Sequence, residues 1–470
     1  MTPNHPLRIH LIAICGTAMA PLAVMLKAIG HHITGSDSDI YPPMSTVLEE
    51  QGIAVYQGFD ETRLDPPPDL VIIGNAISRG NPEAEAVLAR KIPYMSQAAA
   101  LREFFLWDKT TIVITGTHGK TTTTTLLAWV LQQAGLDPSY MIGGVPIGWE
   151  SGAKLGAGRF FVLEGDEYDS AFFDKRAKFL NYLPDIVIIN NIEFDHADVY
   201  DSLDEIILAF QRLVNLVPGN GLLIGSADDD IVRSLLPAAH SPVQSFGQQN
   251  NARWQATGVM VSPAGTRFDV IDDGTSRGAV TLPMFGVHNV QNALAVTAAA
   301  TEAGVPWEDI VAGLKSFPGV KRRMEIRGVV GGITVYDDFA HHPTAVRVTL
   351  QSLRAAYPDA GIWAVFEPRT ATTIRKVFQN AYEDAFDAAD HVILAPVFNS
   401  HKAPGDNRFS LEKLVEGLTE RGQDTIALAD VDTIVSYLQD RIRPGDHVVF
   451  MSNGGFGGIH DKMLVALKPG

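Results

Sequence analysis

Short, nearly unbroken apolar runs alternate along this chain with segments whose apolar positions recur every three or four residues. Residues 7–14 read as a buried strand, 15–18 as a tight turn, and 19–29 as a helix ended by Gly30. Further strands follow at 32–35 and 70–73, with a helix over 82–91. Strands without a polar face are buried on both sides, and their alternation with helices predicts a doubly wound α/β unit. A new strand at 110–115 runs into a helix over 121–134, which sets a boundary near 107–109. Beyond it, strands at 160–163, 186–190 and 222–224 alternate with helices, 253–282 reads as a β-rich insertion with an Asp272-Asp273-Gly274 turn, and a helix covers 290–303. The Ser316-Phe317-Pro318-Gly319 turn reads as a hinge. A third α/β unit carries strands at 334–336, 362–366, 391–395 and 447–451.

Composition narrows the class. Of 470 residues, 46% are hydrophobic and 19% charged, ordinary for a soluble chain of about three domains. The net charge of −17 disfavours nucleic acid and anionic lipid, so a phosphate-bearing ligand needs a local site. The single cysteine, Cys15, excludes an internal disulfide and argues against structural zinc. The uncharged stretch 11–26, with Ala18-Met19-Ala20, imitates a cleavable leader. Gly16, Pro21 and the weak basic flank at Arg8 fit a strand, turn and helix better, so a cytoplasmic chain without membrane insertion is expected.

The strongest chemical signal is Gly116-Thr117-His118-Gly119-Lys120-Thr121-Thr122, a turn between a strand and a helix. Its backbone N–H groups cradle polyphosphate, Lys120 neutralises outer phosphates and the Thr121 hydroxyl suits Mg²⁺. A full Walker pattern needs glycine where Ile114 stands, so this is a shortened loop. The first βα turn has Ala13, Cys15 and Ala18 where a dinucleotide fingerprint requires glycine, which disfavours NAD. Gly16 and Asp37 still suit a nucleotide sugar; a purely structural turn is the alternative. Glu164-Gly165-Asp166-Glu167-Tyr168-Asp169 and Glu193-Phe194-Asp195-His196 each follow a strand, where Glu164 and His196 suit a metal beside phosphate, or else merely cap their strands. Further on stand His288-Asn289-Val290-Gln291-Asn292, Arg322-Arg323 and Asp337-Asp338-Phe339-Ala340-His341-His342-Pro343. The adjacent histidines suggest a metal, but Pro343 beside them favours a hydrogen-bonded turn. Arg323 stabilises a transferring phosphoryl group only if the third domain closes on the second.

In this order and over essentially the full length, these motifs resemble the Mur ligase family of peptidoglycan amide-bond-forming ligases. The resemblance implies three α/β domains. A Rossmann-like N-terminal domain, residues 1–107, holds the UDP sugar; a central P-loop ATPase-type domain, 108–319, binds ATP; a Rossmann-like C-terminal domain, 320–470, brings the peptide. It implies UDP-sugar contacts at Gly16, Thr17, Ser36, Asp37 and Asn75, and ATP contacts at Gly116 to Thr122, Asn292, Arg323 and Asp338. Lys120, Glu164, His196 and Arg323 are the implied catalytic residues, with Mg²⁺ on Thr121, Glu164 and His196. Several family members carry a carbamylated lysine after the Asp-His motif, whereas the region around Gln211 offers Arg212 and no lysine.

Phe172-Phe173-Asp174-Lys175-Arg176, Glu367-Pro368-Arg369 and the glycine-rich run from Ser452 to His460 favour the branch that ligates the murein tripeptide L-Ala-γ-D-Glu-meso-diaminopimelate to UDP-N-acetylmuramate in peptidoglycan recycling. Arg369, with Arg375 or Lys402 behind it, is the expected clamp for the peptide's carboxylates; pairing with a neighbouring acid is the alternative. The L-alanine-adding branch, a non-catalytic nucleotide-sugar-binding protein and an unrelated P-loop ATPase or kinase stay open.

Overall fold

The computed structural model describes residues 5–197, 199–248, 251–369, 373–398 and 408–468. It divides into two compact units, one within residues 1–192, 203–255 and 294–313, the other within 193–202, 256–293 and 314–470.

The first unit contains two parallel sheets. In the N-terminal one the strands run in the order Ala54–Gln57, His32–Asp37, Arg8–Ile12, Leu70–Ile73 and Tyr94–Ser96. The order reverses beside Arg8–Ile12, so the crevice beyond its C-terminal end is the natural ligand site. The stretch that imitates a leader is the end of this strand, a turn and the helix Met19–Ala28. Ala13 takes a φ of 66°, the left-handed conformation a glycine would adopt more easily. At Gly35 a Cβ would lie only 2.5 Å from the Ile14 side chain, so this close contact in the βα turn requires glycine.

In the central sheet, Thr110–Thr115 lies between Phe160–Gly165 and Ile186–Ile189, both parallel to it. Leu222–Ser226 and Val243–Gly247 extend one side, Ser139–Met141 the other. The helix Lys120–Gln133 begins with five consecutive threonines, which intrinsic propensity would discourage. All five are buried, and the hydroxyls of Thr124 and Thr125 donate back to the carbonyls of Lys120 and Thr121 at 2.8 and 2.7 Å. Burial and these local bonds override propensity.

In the second unit, a six-stranded sheet runs in the order Glu325–Val330, Ile333–Asp338, His447–Met451, Ile362–Phe366, His391–Leu394 and Asp424–Ala427. Only the first strand is antiparallel to its neighbour. Side chains alternate between faces: Ile362, Ala364 and Phe366 pack with Val346, Leu350 and Leu353 of the helix Pro343–Ala356, while Trp363 and Val365 pack with Ile434, Leu438, Ile459 and Met463. This two-sided burial explains why these strands read as unbroken apolar runs. The unit also holds the hairpin of Gly265–Asp272 and Thr275–Leu282, turning at Asp273 (φ 47°) and Gly274 (φ 77°). The helix expected from residue 290 begins earlier, as Val287–Glu302, so that His288 to Asn292 lie in its first turns. Among the described residues no helix is long and apolar enough to cross a membrane.

Candidate active site

Parallel register assembles the loop. Ile114 pairs with Glu164 and Thr115 with Gly165, while Ile189 pairs with Thr115 on the other side. The ends of three strands therefore meet at Gly116. Its φ of 127°, and a Cβ position only 2.9 Å from the Asn191 carbonyl oxygen, admit glycine alone. Thr117 N–H donates to the Asn191 carbonyl at 2.9 Å and His118 N–H to Asn191 Oδ1 at 2.7 Å, so Asn191 braces the loop. The helix then starts after Gly119 (φ 81°) without a side-chain cap, leaving first-turn N–H groups to meet an anion.

Lys120 is not the exposed cation of a bare turn; its side chain is 11% exposed. Nζ donates to the Gly116 carbonyl at 2.7 Å and to the two Glu167 oxygens at 2.9 and 3.1 Å. Burial by itself would pull the ammonium down, but the charges of Glu167 and Asp166 more than offset it and hold Lys120 above its ordinary value. The Thr121 hydroxyl donates to Glu164 Oε1 at 2.8 Å and Gly143 N–H to Glu164 Oε2 at 2.6 Å. Burial and the Asp166 charge push the Glu164 carboxyl up, against Lys120 and these two hydrogen bonds. Such a site gains from a divalent cation, and its hydroxyl and carboxylate oxygens are the hard donors Mg²⁺ takes. Lys120, Thr121 and Glu164 thus come together. Glu167, Asn191 and Gly143, which complete the group, carry no local signature beyond their positions after strands.

His196 lies in the other unit with Asp195, His341 and His342. Burial would raise the Asp195 carboxyl, but the three neighbouring imidazoles hold it well below the usual range. His342 makes a turn: its Nδ1 accepts Thr344 N–H at 3.2 Å as the cap of Pro343–Ala356, which leaves Nε2–H for the Phe194 carbonyl at 3.3 Å. Asp338 is buried and accepts N–H bonds from Met324 at 2.7 Å and Ala340 at 2.8 Å, so it shapes the 322–340 region. Arg323 lies 4.9 Å from the Phe339 ring centre, while Arg322 clasps the carbonyls of Ser452 and Gly454, both at 2.6 Å. Asn292 is buried and donates to Asn289 Oδ1 at 3.1 Å.

In the N-terminal sheet, Asp37 accepts N–H bonds from Cys15 at 2.8 Å and Asp39 at 3.2 Å, so it ties the first turn to the second strand. Beside it, the Ser36 hydroxyl donates to the buried Glu83, which also meets His10. Gly16 caps the turn, with its carbonyl accepting from Met19 and Ala20 at 3.0 Å; Thr17 is exposed and Asn75 half-buried in the turn after Leu70–Ile73. Arg369 stacks 3.6 Å from the Phe398 ring centre, lies 3.6 Å from Glu367 and occupies the space a Gly454 Cβ would need. Glu367 in turn accepts the Ser452 hydroxyl at 2.6 Å. The glycine-rich run is therefore what makes room for Arg369. Arg375 donates instead to the Ala197 carbonyl, and Lys402 lies outside the described residues.

Three family models match in succession: residues 8–106 match "Mur ligase family, catalytic domain", 114–300 "Mur ligase middle domain", and 322–454 "Mur ligase, glutamate ligase domain". The chain belongs to the Mur ligase family. Its fold is the three-domain Mur ligase fold. Among relatives of this ligase, the UDP-N-acetylmuramate–L-alanyl-gamma-D-glutamyl-meso-2,6-diaminoheptandioate ligase of Escherichia coli (strain K12) is 43% identical over 98% of both chains. The UDP-N-acetylmuramate–L-alanine ligase of Acetivibrio thermocellus is 34% identical over 100% of this chain and 99% of its own. The crystal structure of a murein peptide ligase from Psychrobacter arcticus superimposes with a TM-score of 0.73 at 38% identity, covering 98% of each chain.

Proposed function

We propose that the chain is an ATP-dependent ligase that joins the carboxylate of UDP-N-acetylmuramate to the amine of L-Ala-γ-D-Glu-meso-diaminopimelate, in peptidoglycan recycling. The observation that carries the choice of amine is the full-length 43% identity to a relative named for this tripeptide, against 34% to one named for L-alanine. The L-alanine-adding reaction is the second reading, because that likeness also spans the whole chain.

A free carboxylate is a poor electrophile, so the muramyl carboxylate oxygen attacks the γ-phosphorus and ADP leaves. The peptide amine then attacks the acyl carbon, loses a proton and expels phosphate to leave the amide. In this reading the loop from Gly116 to Thr122 holds the phosphates through its N–H groups. Lys120 balances charge developing on the transferring group. Mg²⁺ on Thr121 and Glu164 supplies electrostatic stabilisation of the phosphates, and His196 helps to hold a second ion. Asn292, Arg323 and Asp338 serve the nucleotide. Gly16, Thr17, Ser36, Asp37 and Asn75 serve the UDP sugar within 1–107, ATP is handled within 108–319, and Arg369 holds a peptide carboxylate within 320–470.

The test is phosphate release with UDP-N-acetylmuramate and Mg-ATP fixed and the amine varied, with product mass measured. The tripeptide is expected to react far faster than L-alanine. Preference for L-alanine would move the chain to the other branch, and ATP turnover indifferent to UDP-N-acetylmuramate would reject both.

A further inference from the structure

Two buried lysines and three carboxylates sit together behind the phosphate loop, and they are not interchangeable. Lys178 Nζ is held by Asp166 Oδ2 at 3.3 Å and by the Tyr168 hydroxyl at 3.0 Å. Glu164 is bound by Thr121 and Gly143. That leaves Glu167, 2% exposed, to meet Lys120 with both oxygens. An ammonium has three N–H donors. Here they are spent on the Gly116 carbonyl, on Glu167 and, more weakly, on the Thr117 carbonyl at 3.3 Å. A phosphate oxygen reaching Lys120 has to take a donor from one of these, and Glu167 is the partner that carries the same charge as the phosphate.

We propose that Glu167 is a positioning residue that competes with the nucleotide's phosphates for Lys120, lowering nucleotide affinity and speeding the release of ADP. This rests on the reading of 116–122 as the ATP site. The device has a clear use: the loop would otherwise grip ADP through the same N–H groups that hold ATP, and an internal carboxylate ready to reclaim Lys120 favours its departure. A carboxylate that only braced the loop would act in the opposite sense, because its loss would loosen Lys120 and weaken binding.

The sign of the change in affinity therefore decides. Calorimetric titration of ADP and ATP in Mg²⁺ buffer is to be run on the full-length chain, on Glu167→Gln and on Glu167→Asp. Glu167→Gln is expected to bind ADP on the order of tenfold tighter, the effect of removing one charged competitor, with a lower KM for ATP. Glu167→Asp, which keeps the charge on a shorter arm, should fall between it and the unaltered chain, and supplies the answer if the glutamine variant does not fold. Unchanged or weaker ADP binding in the folded variants overturns the proposal while ATP binding by the unaltered chain still stands. An unaltered chain that binds no ATP overturns the ligase reading itself.

Discussion

Replacing Lys120 by methionine removes a phosphate contact, and it also leaves Glu167 alone in a site where it is 2% exposed. Breaking a buried ion pair from one side costs about 3–5 kcal/mol. The chain can limit that cost by protonating Glu167, and from an ordinary pKa of about 4.3 this takes roughly 3.7 kcal/mol at pH 7. Lys120→Met is therefore expected to be less stable by roughly 3–4 kcal/mol at pH 7, a drop in melting temperature on the order of 10 °C. The sign with pH follows from the raised pKa of the stranded carboxyl. Between about pH 4.3 and that raised value the folded variant holds a proton the unfolded chain has lost, so its deficit shrinks by about 1.4 kcal/mol for each unit the pH is lowered. Adding Glu167→Gln to Lys120→Met should restore most of the stability. Ligation should not return, because both variants still lack a charge worth about 10²–10³ in rate. Melting curves across pH 5–8, completed as a double-mutant cycle with phosphate-release rates, measure both effects. A single variant as stable as the unaltered chain, or a deficit indifferent to pH, would refute the dependence of Glu167 on Lys120.

Arg369→Ala should raise the KM for the tripeptide by about tenfold or more while changing any use of L-alanine little, since one charged contact is removed far from the reacting amine; equal loss with both amines would point to collapse of the packing against Phe398 and Gly454. Ala13→Gly should stabilise the N-terminal sheet by up to about 1 kcal/mol by relieving the left-handed conformation at φ 66°, read as a higher urea midpoint, and a lower midpoint would contradict it. His447 is buried against Tyr357 and hydrogen-bonded to the Tyr336 hydroxyl at 2.9 Å, and burial holds its pKa below 6.5. Its contribution to stability is thus complete above that value and lost as the pH falls towards the folded pKa. Between pH 7.5 and 5.5, His447→Gln should lose less stability than the unaltered chain, and parallel losses would reject the assignment.

The strands 70–73, 110–115, 362–366 and 447–451 are legible to the residue in the sequence because each is buried on both faces and so contains an unbroken apolar run. Short edge elements such as Ala54–Gln57, with no fully buried residue, and Met44–Glu50, with only Leu48 buried, leave no comparable trace and escaped the sequence reading. The phosphate loop is equally legible, since Gly116, Gly119 and Lys120 are neighbours whose backbone needs are local. The order of motifs along the chain sufficed to indicate the family. What tertiary structure alone decided is which groups face one another. Glu167 stands 47 residues from Lys120, and Asn191 73 from His118, brought there by parallel strands in register. The same holds for Arg369, seated where Gly454 has no side chain. Local propensity and burial period are properties of a segment and can be read from it. An ion pair or a close packing contact is a property of two segments, and only the register and crossing of the sheet determine it.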